Sequence, residues 1–327
     1  MIESKVIIVG GGPAGSSCAR ELVRLGGECL IIDKKRFPRF KLCAGWIQPD
    51  LLEELHIDPG SYPFSLTFFD HFRVHVFGKQ FTPAVRQYAI RRYQFDQWLL
   101  SHCGAPVYTH AVKNIKKDNS GYTIDDLFHC RYLIGAGGTH CPVYRSFFKK
   151  KHPRRGDKLI ATLEQEVACK FNDPECRLWF LIDNLPGYAW YVPKEGGYVN
   201  IGIGGYLHKI RDRGKSIDEY WQRFMQELQR FDLMPDVDLD PKGAVYYIRN
   251  NLRSVQNGKA FIIGDAAGLA TKDMGEGIGP AVESGMLVAR SIALGVPLDF
   301  RSIRKNSFSK WWLLSRFGPA LVKSRFF

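Results

Sequence analysis

One glycine-rich turn near the start of the chain restricts its fold more than any other feature. It follows a short aliphatic run and precedes a helical segment, as in a strand–turn–helix unit whose strand is buried on both faces. Gly10, Gly12 and Gly15 fit the pattern G-x-G-x-x-G, which combines a tight turn, close approach of a pyrophosphate and close packing of helix on strand. A second apolar strand ends in Asp33, where a carboxylate can bind an adenosine ribose. The motif predicts dinucleotide binding; a glycine turn without a ligand is the alternative.

The later strands predict an α/β fold in two parts. Residues 132–138 and 260–265 repeat the pattern of a buried strand that runs into a glycine turn. Residues 158–207, between them, contain several short apolar runs typical of antiparallel strands. We therefore expect a discontinuous Rossmann-like domain with an inserted, largely antiparallel β-sheet substrate domain. The expected boundaries are 1–62, 86–155 and 256–298 for the first domain, 63–85 and 156–255 for the second, and 299–327 for a basic, aromatic helical tail.

Composition restricts the class of protein. The 327 residues and the hydrophobic content of 45% are ordinary for one large domain or two intertwined ones. The chain enters its first strand at once and has no apolar run of about 20 residues, so we expect a cytoplasmic protein without a signal peptide or a spanning helix. The cysteines are scattered without a C-x-x-C pair, which argues against a zinc site and against a secreted disulfide framework.

The net charge of +13 allows three kinds of partner. Nucleic acid, an anionic membrane surface and an acidic protein or substrate would each be attracted to such a chain. No nucleic-acid-binding motif accompanies the charge, so we expect no nucleic acid partner. The charge can also serve solubility alone.

Five motifs occur in an order that resembles FAD enzymes of the para-hydroxybenzoate hydroxylase superfamily. They are the first glycine turn, Asp33 on the second strand, Arg92-x-x-Phe95-Asp96, Gly135-Ala136-Gly137-Gly138 and Gly264-Asp265-Ala266-Ala267-Gly268. Three stretches are similar to the geranylgeranyl reductase family within that superfamily: Pro38-Arg39-x-Lys41-x-Cys43-Ala44-Gly45, Tyr188-Ala189-Trp190-Tyr191-Val192-Pro193-Lys194, and Gly264 to Gly279. The resemblance covers residues 1–295.

The resemblance implies that the Rossmann-like domain binds FAD. Asp265 is expected to accept hydrogen bonds from the ribityl or pyrophosphate region, a role compatible with capping a helix N-terminus. Gly277 would begin a helix whose N–H groups face the pyrimidine edge of the flavin and favour its reduced anion. Arg92 is either a phosphate partner or a solvated surface arginine, and Arg36 is expected over the adenine. The full set of expected FAD contacts is Gly10, Gly12, Pro13, Ala14, Gly15, Asp33, Lys34, Arg36, Cys43, Ala44, Gly45, Arg92, Val112, Ala136, Gly137, Gly138, Gly264, Asp265, Gly275, Gly277 and Ile278.

An aromatic stretch is the candidate substrate wall. Tyr188 and Trp190 share one face of a predicted strand, and Tyr191 is their neighbour in the motif. The resemblance implies that this wall lines a cavity for an isoprenoid chain; the alternative is an ordinary sheet core. Trp46 stands where the family usually has a small residue, so its indole is expected to shorten the cavity or cover the flavin. The substrate can then differ from a geranylgeranyl chain.

Cys43 lies in a basic loop with Arg36, Arg39 and Lys41. A thiol in such surroundings is expected to be reactive as a thiolate. It is a candidate catalytic residue, as a proton donor or as a redox partner of Cys141. Simple packing is the third possibility.

Two departures from the superfamily bear on the electron donor. The superfamily usually has Gly-Ala-Asp-Gly where this chain has Gly135-Ala136-Gly137-Gly138, and that aspartate helps to organise nucleotide binding. The chain also lacks a second G-x-G-x-x-G for a separate nicotinamide domain. NADPH therefore remains one candidate donor, and reduced ferredoxin, an acidic electron-transfer protein attracted by the positive charge, is the other.

Residues 301–327 combine seven basic residues with aromatic and leucine side chains and contain no acidic residue. Such a segment suits a helix in an anionic membrane interface, which would make the protein a peripheral membrane protein. A C-terminal helix that caps the core is the alternative.

The leading functional hypothesis is an FAD-dependent oxidoreductase that reduces carbon–carbon double bonds of a polyprenyl or similar apolar substrate by hydride transfer from flavin N5. An isolated alkene is a poor hydride acceptor, so the site must exclude water and align the reacting atoms. The alternatives are a flavin monooxygenase or halogenase, and a non-catalytic flavin redox sensor at the membrane surface.

Overall fold

In the computed structural model, which describes residues 1–170, 173–250 and 254–308, the chain separates into two units. The first unit comprises residues 1–39, 95–155 and 247–307, and the second comprises 40–94, 156–246 and Phe308.

Within the described residues there are eighteen strands and seven α-helices. The strands are β1 (Ile2–Val9), β2 (Cys29–Asp33), β3 (Trp46–Ile47), β4 (Leu66–His71), β5 (Arg73–Val76), β6 (Lys79–Phe81), β7 (Ala84–Ile90), β8 (Val107–Thr109), β9 (Ile115–Lys117), β10 (Tyr122–Ile124), β11 (Phe128–Gly135), β12 (Leu159–Ala168), β13 (Arg177–Phe180), β14 (Gly187–Lys194), β15 (Tyr198–Tyr206), β16 (Lys242–Tyr247), β17 (Gln256–Asn257) and β18 (Ala260–Ile262). The helices are α1 (Pro13–Arg24), α2 (Pro49–Glu54), α3 (Arg92–Ser101), α4 (Pro142–Phe147), α5 (Leu207–Asp212), α6 (Ile217–Arg230) and α7 (Ile278–Leu294).

The first unit is built on a sheet in the order β17-β18-β11-β1-β2-β8, to which β10 and then β9 are added beside β11. Strands β18, β11, β1, β2 and β8 are parallel to one another. Their aliphatic runs form one apolar core with side chains of α1, α4 and α7. Val9 is in register with Ile32 and with Gly135, which also pairs with Ile262. The carboxyl ends of four strands therefore meet at one edge of the sheet, the edge at which α/β folds bind ligands.

Helices α1 and α7 pack against each other through a glycine. A Cβ atom added to Gly285 of α7 would lie 2.4 Å from the carbonyl oxygen of Ala14 on α1. The buried Glu21 of α1 accepts hydrogen bonds from Arg24 of the same helix and from Arg290 of α7. These bonds lower the pKa of Glu21 to about 2, so its carboxylate stays charged and holds the two helices together.

The second unit contains a seven-stranded sheet in the order β16-β12-β15-β14-β13-β5-β6 and a three-stranded sheet in the order β3-β7-β4. Strands β12 and β15, β15 and β14, β14 and β13, β5 and β6, β3 and β7, and β4 and β7 pair antiparallel, whereas β13 and β5 are parallel. One face of the larger sheet packs on the apolar stripe of α6. That helix begins with a capping box between Ser216 and Glu219.

The predicted fold class is confirmed: a discontinuous core built on a mainly parallel sheet is interrupted by largely antiparallel sheets. The unit boundaries nevertheless differ from the expected ones. Residues 40–62 and 86–94 belong to the second unit, because β3 pairs with β7 and the N–H of Ile90 donates to the carbonyl of Gly45. Residues 247–255 belong to the first unit as far as they are described, where Ile248 forms a bridge with Ala270.

The described part of the expected helical tail, residues 299–308, contains no helix. The buried guanidinium of Arg249 donates to the carbonyls of Phe300, Ile303 and Arg304, which holds those carbonyls away from helical hydrogen bonding. The helical prediction is therefore wrong for this part. Residues 309–327, which carry most of the predicted membrane-binding segment, lie outside the described residues. None of the helices described is both long and apolar enough to cross a membrane.

The packing of α1 on α7 gives a first prediction. We expect Gly285→Ala to lower the free energy of unfolding by about 1–3 kcal/mol, because the added methyl group would collide with the backbone of α1. Gly279→Ala is the matched control in the same helix, where the added Cβ would lie 3.8 Å from Oε1 of Glu283, an ordinary van der Waals contact. That control should be unchanged or gain up to about 1 kcal/mol. Denaturant unfolding measures both, and equal stability of the two variants would contradict this account of the packing.

Candidate functional site

The turn after β1, here called the glycine cradle, brings backbone segments so close together that Gly10 and Gly15 must be glycine. Gly10 has φ +118°, and a Cβ there would lie 2.4 Å from the carbonyl oxygen of Ala136. A Cβ on Gly15 would lie 1.9 Å from the carbonyl oxygen of Gly10. A Cβ on Gly12 would meet only the end of the Arg39 side chain, at 3.2 Å. The first and third glycines therefore serve close backbone packing, and the second leaves the backbone open to a phosphate, as the motif predicts.

The start of α1 and Asp33 complete this turn. Helix α1 begins at Pro13 without a side-chain cap, so N–H groups at its first turn remain available to an anion. The carboxylate of Asp33 accepts hydrogen bonds from the N–H of Gly11 at 2.8 Å and from the N–H of Lys35 at 2.9 Å. Asp33 thus orders the turn, and its contact with a ribose stays a prediction.

Arg39 is a site residue whose part in this turn was not expected. Its guanidinium forms an ion pair with Asp96 at 3.2 Å and lies over the ring of Phe37, with 4.6 Å from Cζ to the centroid. Asp96 is fully buried. The pair holds a positive charge beside Gly12, where a phosphate group would add to its stabilisation. The sequence feature that could have revealed this ion pair is Asp96, the aspartate of the Arg92-x-x-Phe95-Asp96 motif.

The turn after β18 lies against the first turn. A Cβ on Gly264, at φ +57°, would lie 3.0 Å from the Cβ of Ala14. The half-buried carboxylate of Asp265 has no hydrogen-bond partner among the residues described, and its Oδ1 lies 3.2 Å from the position of a Cβ on Gly277. Gly277 precedes α7, whose N-terminus likewise has no side-chain cap. An acceptor and a row of helix N–H donors therefore stand side by side, which fits the polar groups of FAD.

A half-buried arginine that sequence analysis missed connects two of these turns. The Arg154 guanidinium donates to the carbonyl of Thr139 and, at 2.7 Å, to the carbonyl of Ala266. It lies over the ring of Tyr144, with 3.7 Å from Cζ to the centroid. Burial lowers the pKa of Arg154, but the carbonyl contacts suit its charged form. An isolated arginine in a loop carries no motif, so only the folded chain reveals this role.

The structure offers a physical reason for the missing aspartate at Gly137. A Cβ on Gly137 would lie 3.1 Å from the Cα of Cys141 and 3.3 Å from the Cδ of Pro142, so a larger side chain would crowd the start of α4.

The structure also bears on the suggested disulfide between Cys43 and Cys141. Cys141 is a fully buried free thiol, Cys43 is also a free thiol, and burial raises the pKa of Cys141. The suggested pairing of Cys43 with Cys141 is therefore wrong for this structure.

The remaining expected FAD contacts lie in three settings. Lys34 and Arg36 are exposed on the loop after β2, and Val112 is half-buried in the loop after β8. Cys43, Ala44, Gly45 and Arg92 belong to the second unit. There the N–H of Gly45 donates to the Cys43 sulfur at 3.3 Å, and Arg92 is buried at the start of α3. Their contacts with FAD stay predictions.

The aromatic wall in the second unit lies on the face of the larger sheet that is turned away from α6. The rings of Tyr188 and Trp190 lie side by side along β14, tilted by 53° with 5.6 Å between their centroids, and Trp46 stacks on Tyr188 at 6.3 Å. Trp46 also stacks on Phe72 at 5.7 Å. Tyr191 points to the opposite face, where it is buried in the core against α6. Tyr191 is therefore not part of the wall, because successive residues of a strand alternate between faces.

Buried charges border this wall. Glu166 of β12 accepts a hydrogen bond from the Lys194 ammonium at 2.7 Å and one from the Arg91 guanidinium at 2.8 Å. Lys194 is 1% exposed. Burial opposes the charge of Glu166, but Lys194 and Arg91 outweigh this effect and lower its pKa. Glu166 therefore serves as the counter-ion of both cations.

Comparisons with known proteins agree with these features. A family model described as an FAD binding domain matches residues 3–55. A digeranylgeranylglycerophospholipid reductase of Methanosphaera stadtmanae is 28% identical over 90% of this chain and 78% of its own length. A menaquinone reductase of Mycobacterium tuberculosis is 26% identical over 98% of this chain and 80% of its own length.

Among solved structures, a geranylgeranyl bacteriochlorophyll reductase-like protein of Thermoplasma acidophilum has the same fold. Its TM-score is 0.78 at 21% identity, and the match covers 99% of this chain and 84% of that one. The resemblance found in the sequence is thereby confirmed: the chain is an FAD-dependent oxidoreductase that is similar to geranylgeranyl reductases.

Proposed function

We propose that this oxidoreductase reduces carbon–carbon double bonds of a polyprenyl or similar apolar substrate. The observation that carries the proposal is the aromatic wall of Trp46, Tyr188 and Trp190, which is buried or half-buried on a sheet face that does not pack on α6. An apolar chain gains binding free energy from such a surface in proportion to the area it covers. The names of the two relatives support the proposal, since both substrates are isoprenoid lipids.

Reduced FAD supplies a hydride in such a reaction. The glycine cradle, the N-terminus of α1 and the Arg39–Asp96 pair would hold its pyrophosphate. Asp265 would accept hydrogen bonds from it, and the start of α7 would stabilise negative charge on its reduced form. The aromatic wall would exclude water and align the double bond, which an unactivated alkene requires.

For the electron donor we propose either NADPH or reduced ferredoxin. Position 137, where the superfamily usually has an aspartate that helps to organise nucleotide binding, is a glycine here, and an added side chain would be crowded by Cys141 and Pro142. The net charge of +13 would steer an acidic carrier protein toward this chain. These two observations favour ferredoxin. An anionic membrane surface, from which a lipid substrate would be drawn, is a further proposed partner.

The proposed reaction can be tested on purified protein under anaerobic conditions. We expect a flavin spectrum that NADPH or reduced ferredoxin bleaches and that a polyprenyl lipid restores. Restoration by oxygen alone, with a hydroxylated product, would instead support a monooxygenase. Reduction without any lipid or oxygen product would support a redox sensor, and a protein purified without flavin and unable to take up FAD would contradict the cofactor assignment.

The wall predicts how chain length is selected. We expect Trp46→Leu to raise the ratio of kcat/KM for long over short prenyl substrates by about tenfold or more, because the indole no longer shortens the bound chain. Trp179→Leu is the matched control, since Trp179 is buried on the opposite face of the sheet against Phe224. This control should lose stability and leave the ratio unchanged. An unaltered ratio in Trp46→Leu would remove Trp46 from the substrate site.

A further inference from the structure

A second glutamate lies on the same sheet face as the aromatic wall. Glu164 of β12 is directly opposite Gly202 of β15, which is in turn opposite Trp190 of β14. A Cβ on Gly202 would lie 2.3 Å from Cζ2 of Trp190 and 2.6 Å from the Cβ of Glu164. The absence of a side chain at this position therefore lets the indole of Trp190 lie across the strand and brings the Cβ of Glu164 close to it.

The carboxyl of Glu164 is buried without a partner. Glu164 is 2% exposed, and its side chain forms no hydrogen bond or ion pair with any residue in the described ranges. Its neighbour two positions along the strand, Glu166, takes up both adjacent cations, Lys194 and Arg91. A carboxylate in this position would have lost its hydration without a direct ion pair in return, and that cost favours the protonated acid.

Charged side chains around Glu164 shift its pKa in both directions. Burial is the largest effect and raises the pKa of Glu164; Lys194, Lys41 and Arg92 lower it, Glu166 raises it, and the net result is a pKa of about 7. An ordinary glutamic acid, with a pKa of about 4.3, would be ionised at neutral pH. Glu164 instead holds its proton in a substantial fraction of molecules at pH 7 and can release it.

We propose that Glu164 is the proton donor of the reduction, through a carboxyl oxygen that points into the substrate site beside Trp190. This inference rests on the proposed function. A hydride adds to one carbon of the double bond, and the proton on Oε of Glu164 passes to the other carbon. The alkene thereby gains two electrons and two hydrogens, and Glu164 is left as a carboxylate that regains a proton from water before the next turnover.

Two other candidate acids are less suited to this step. The ammonium of Lys194 donates a hydrogen bond to Glu166 at 2.7 Å and is therefore already engaged as the partner of that carboxylate. The sulfur of Cys43 accepts a hydrogen bond from the N–H of Gly45 in its own loop. Glu164 combines burial, the absence of a partner and a place next to the wall.

The test follows reoxidation of the flavin in holoenzyme that has been reduced with dithionite, so that the electron donor plays no part. On mixing with a polyprenyl lipid, the wild-type rate should fall as pH rises through about 7, toward tenfold per pH unit. Glu164→Gln should be slower by about 100-fold or more and lose this pH dependence. Glu164→Asp should restore part of the rate. Glu195→Gln, the same substitution at an exposed position of the same unit, should behave as the wild type.

An infrared titration provides a readout that does not depend on turnover. The C=O band of a protonated carboxyl group should disappear with a midpoint near pH 7 in the wild type and in Glu195→Gln, and should be absent in Glu164→Gln. Wild-type rates in Glu164→Gln, or no such band between pH 5 and 9 in the wild type, would overturn the assignment. If no variant is reoxidised by lipid while the band titrates normally, the proposed function fails and the donor role fails with it, although Glu164 is a proton-holding group. The wild-type titration and Glu164→Asp decide the question even if Glu164→Gln does not fold.

Discussion

The contact between Gly15 and the carbonyl oxygen of Gly10 is the constraint on which the first unit depends. A Cβ at Gly15 would lie 1.9 Å from that oxygen, so only glycine lets α1 begin this close to the end of β1. The position of α1 then decides what can pack on it, since Gly264 and Gly285 both approach Ala14 within distances that a side chain would forbid. One backbone contact therefore fixes the glycine turn after β1, the turn that carries Asp265 and the helix behind it. Burial of the surrounding aliphatic strands stabilises this arrangement, and the glycines determine its geometry.

The second unit uses the two faces of its larger sheet for different purposes. One face buries aliphatic and aromatic side chains against α6, which gives stability in the usual way. The other face carries aromatic rings beside buried acids and bases, an arrangement that costs desolvation and is kept only where the charges are paired or the proton is retained. Glu166 is a paired charge, with Lys194 and Arg91 as its partners, whereas Glu164 is a group that retains its proton. Because burying these charged groups costs desolvation free energy, a catalytic role explains this face better than a contribution to folding stability.

Local patterns predicted the parts of the site that are themselves local. The glycine turn, the parallel strands and the resemblance to FAD enzymes follow from short motifs, because backbone geometry restricts which residues fit there. Tyr191 was included among the candidate substrate residues, although strict alternation from Trp190 already assigns it to the opposite face of the strand. Arg154 and Glu164 could not be recognised, because their roles depend on neighbours far away in the sequence. The helical tail was wrong for residues 299–308, since the carbonyls there are bound by Arg249, whose position no local pattern reveals.

Reduction of an unactivated double bond places conflicting demands on an active site. The hydride must be delivered where water is excluded, yet the second carbon needs a proton that water would otherwise provide. An acid with an ordinary carboxyl pKa would already be ionised at neutral pH, and a lysine would hold its proton too strongly to give it to carbon. A carboxyl group buried beside an apolar wall meets both demands, because the same desolvation that keeps water out also keeps the proton on the acid. In this chain the missing side chain at Gly202 allows Trp190 and Glu164 to share that dry surface. The aromatic wall and the acid are therefore two consequences of one packing arrangement.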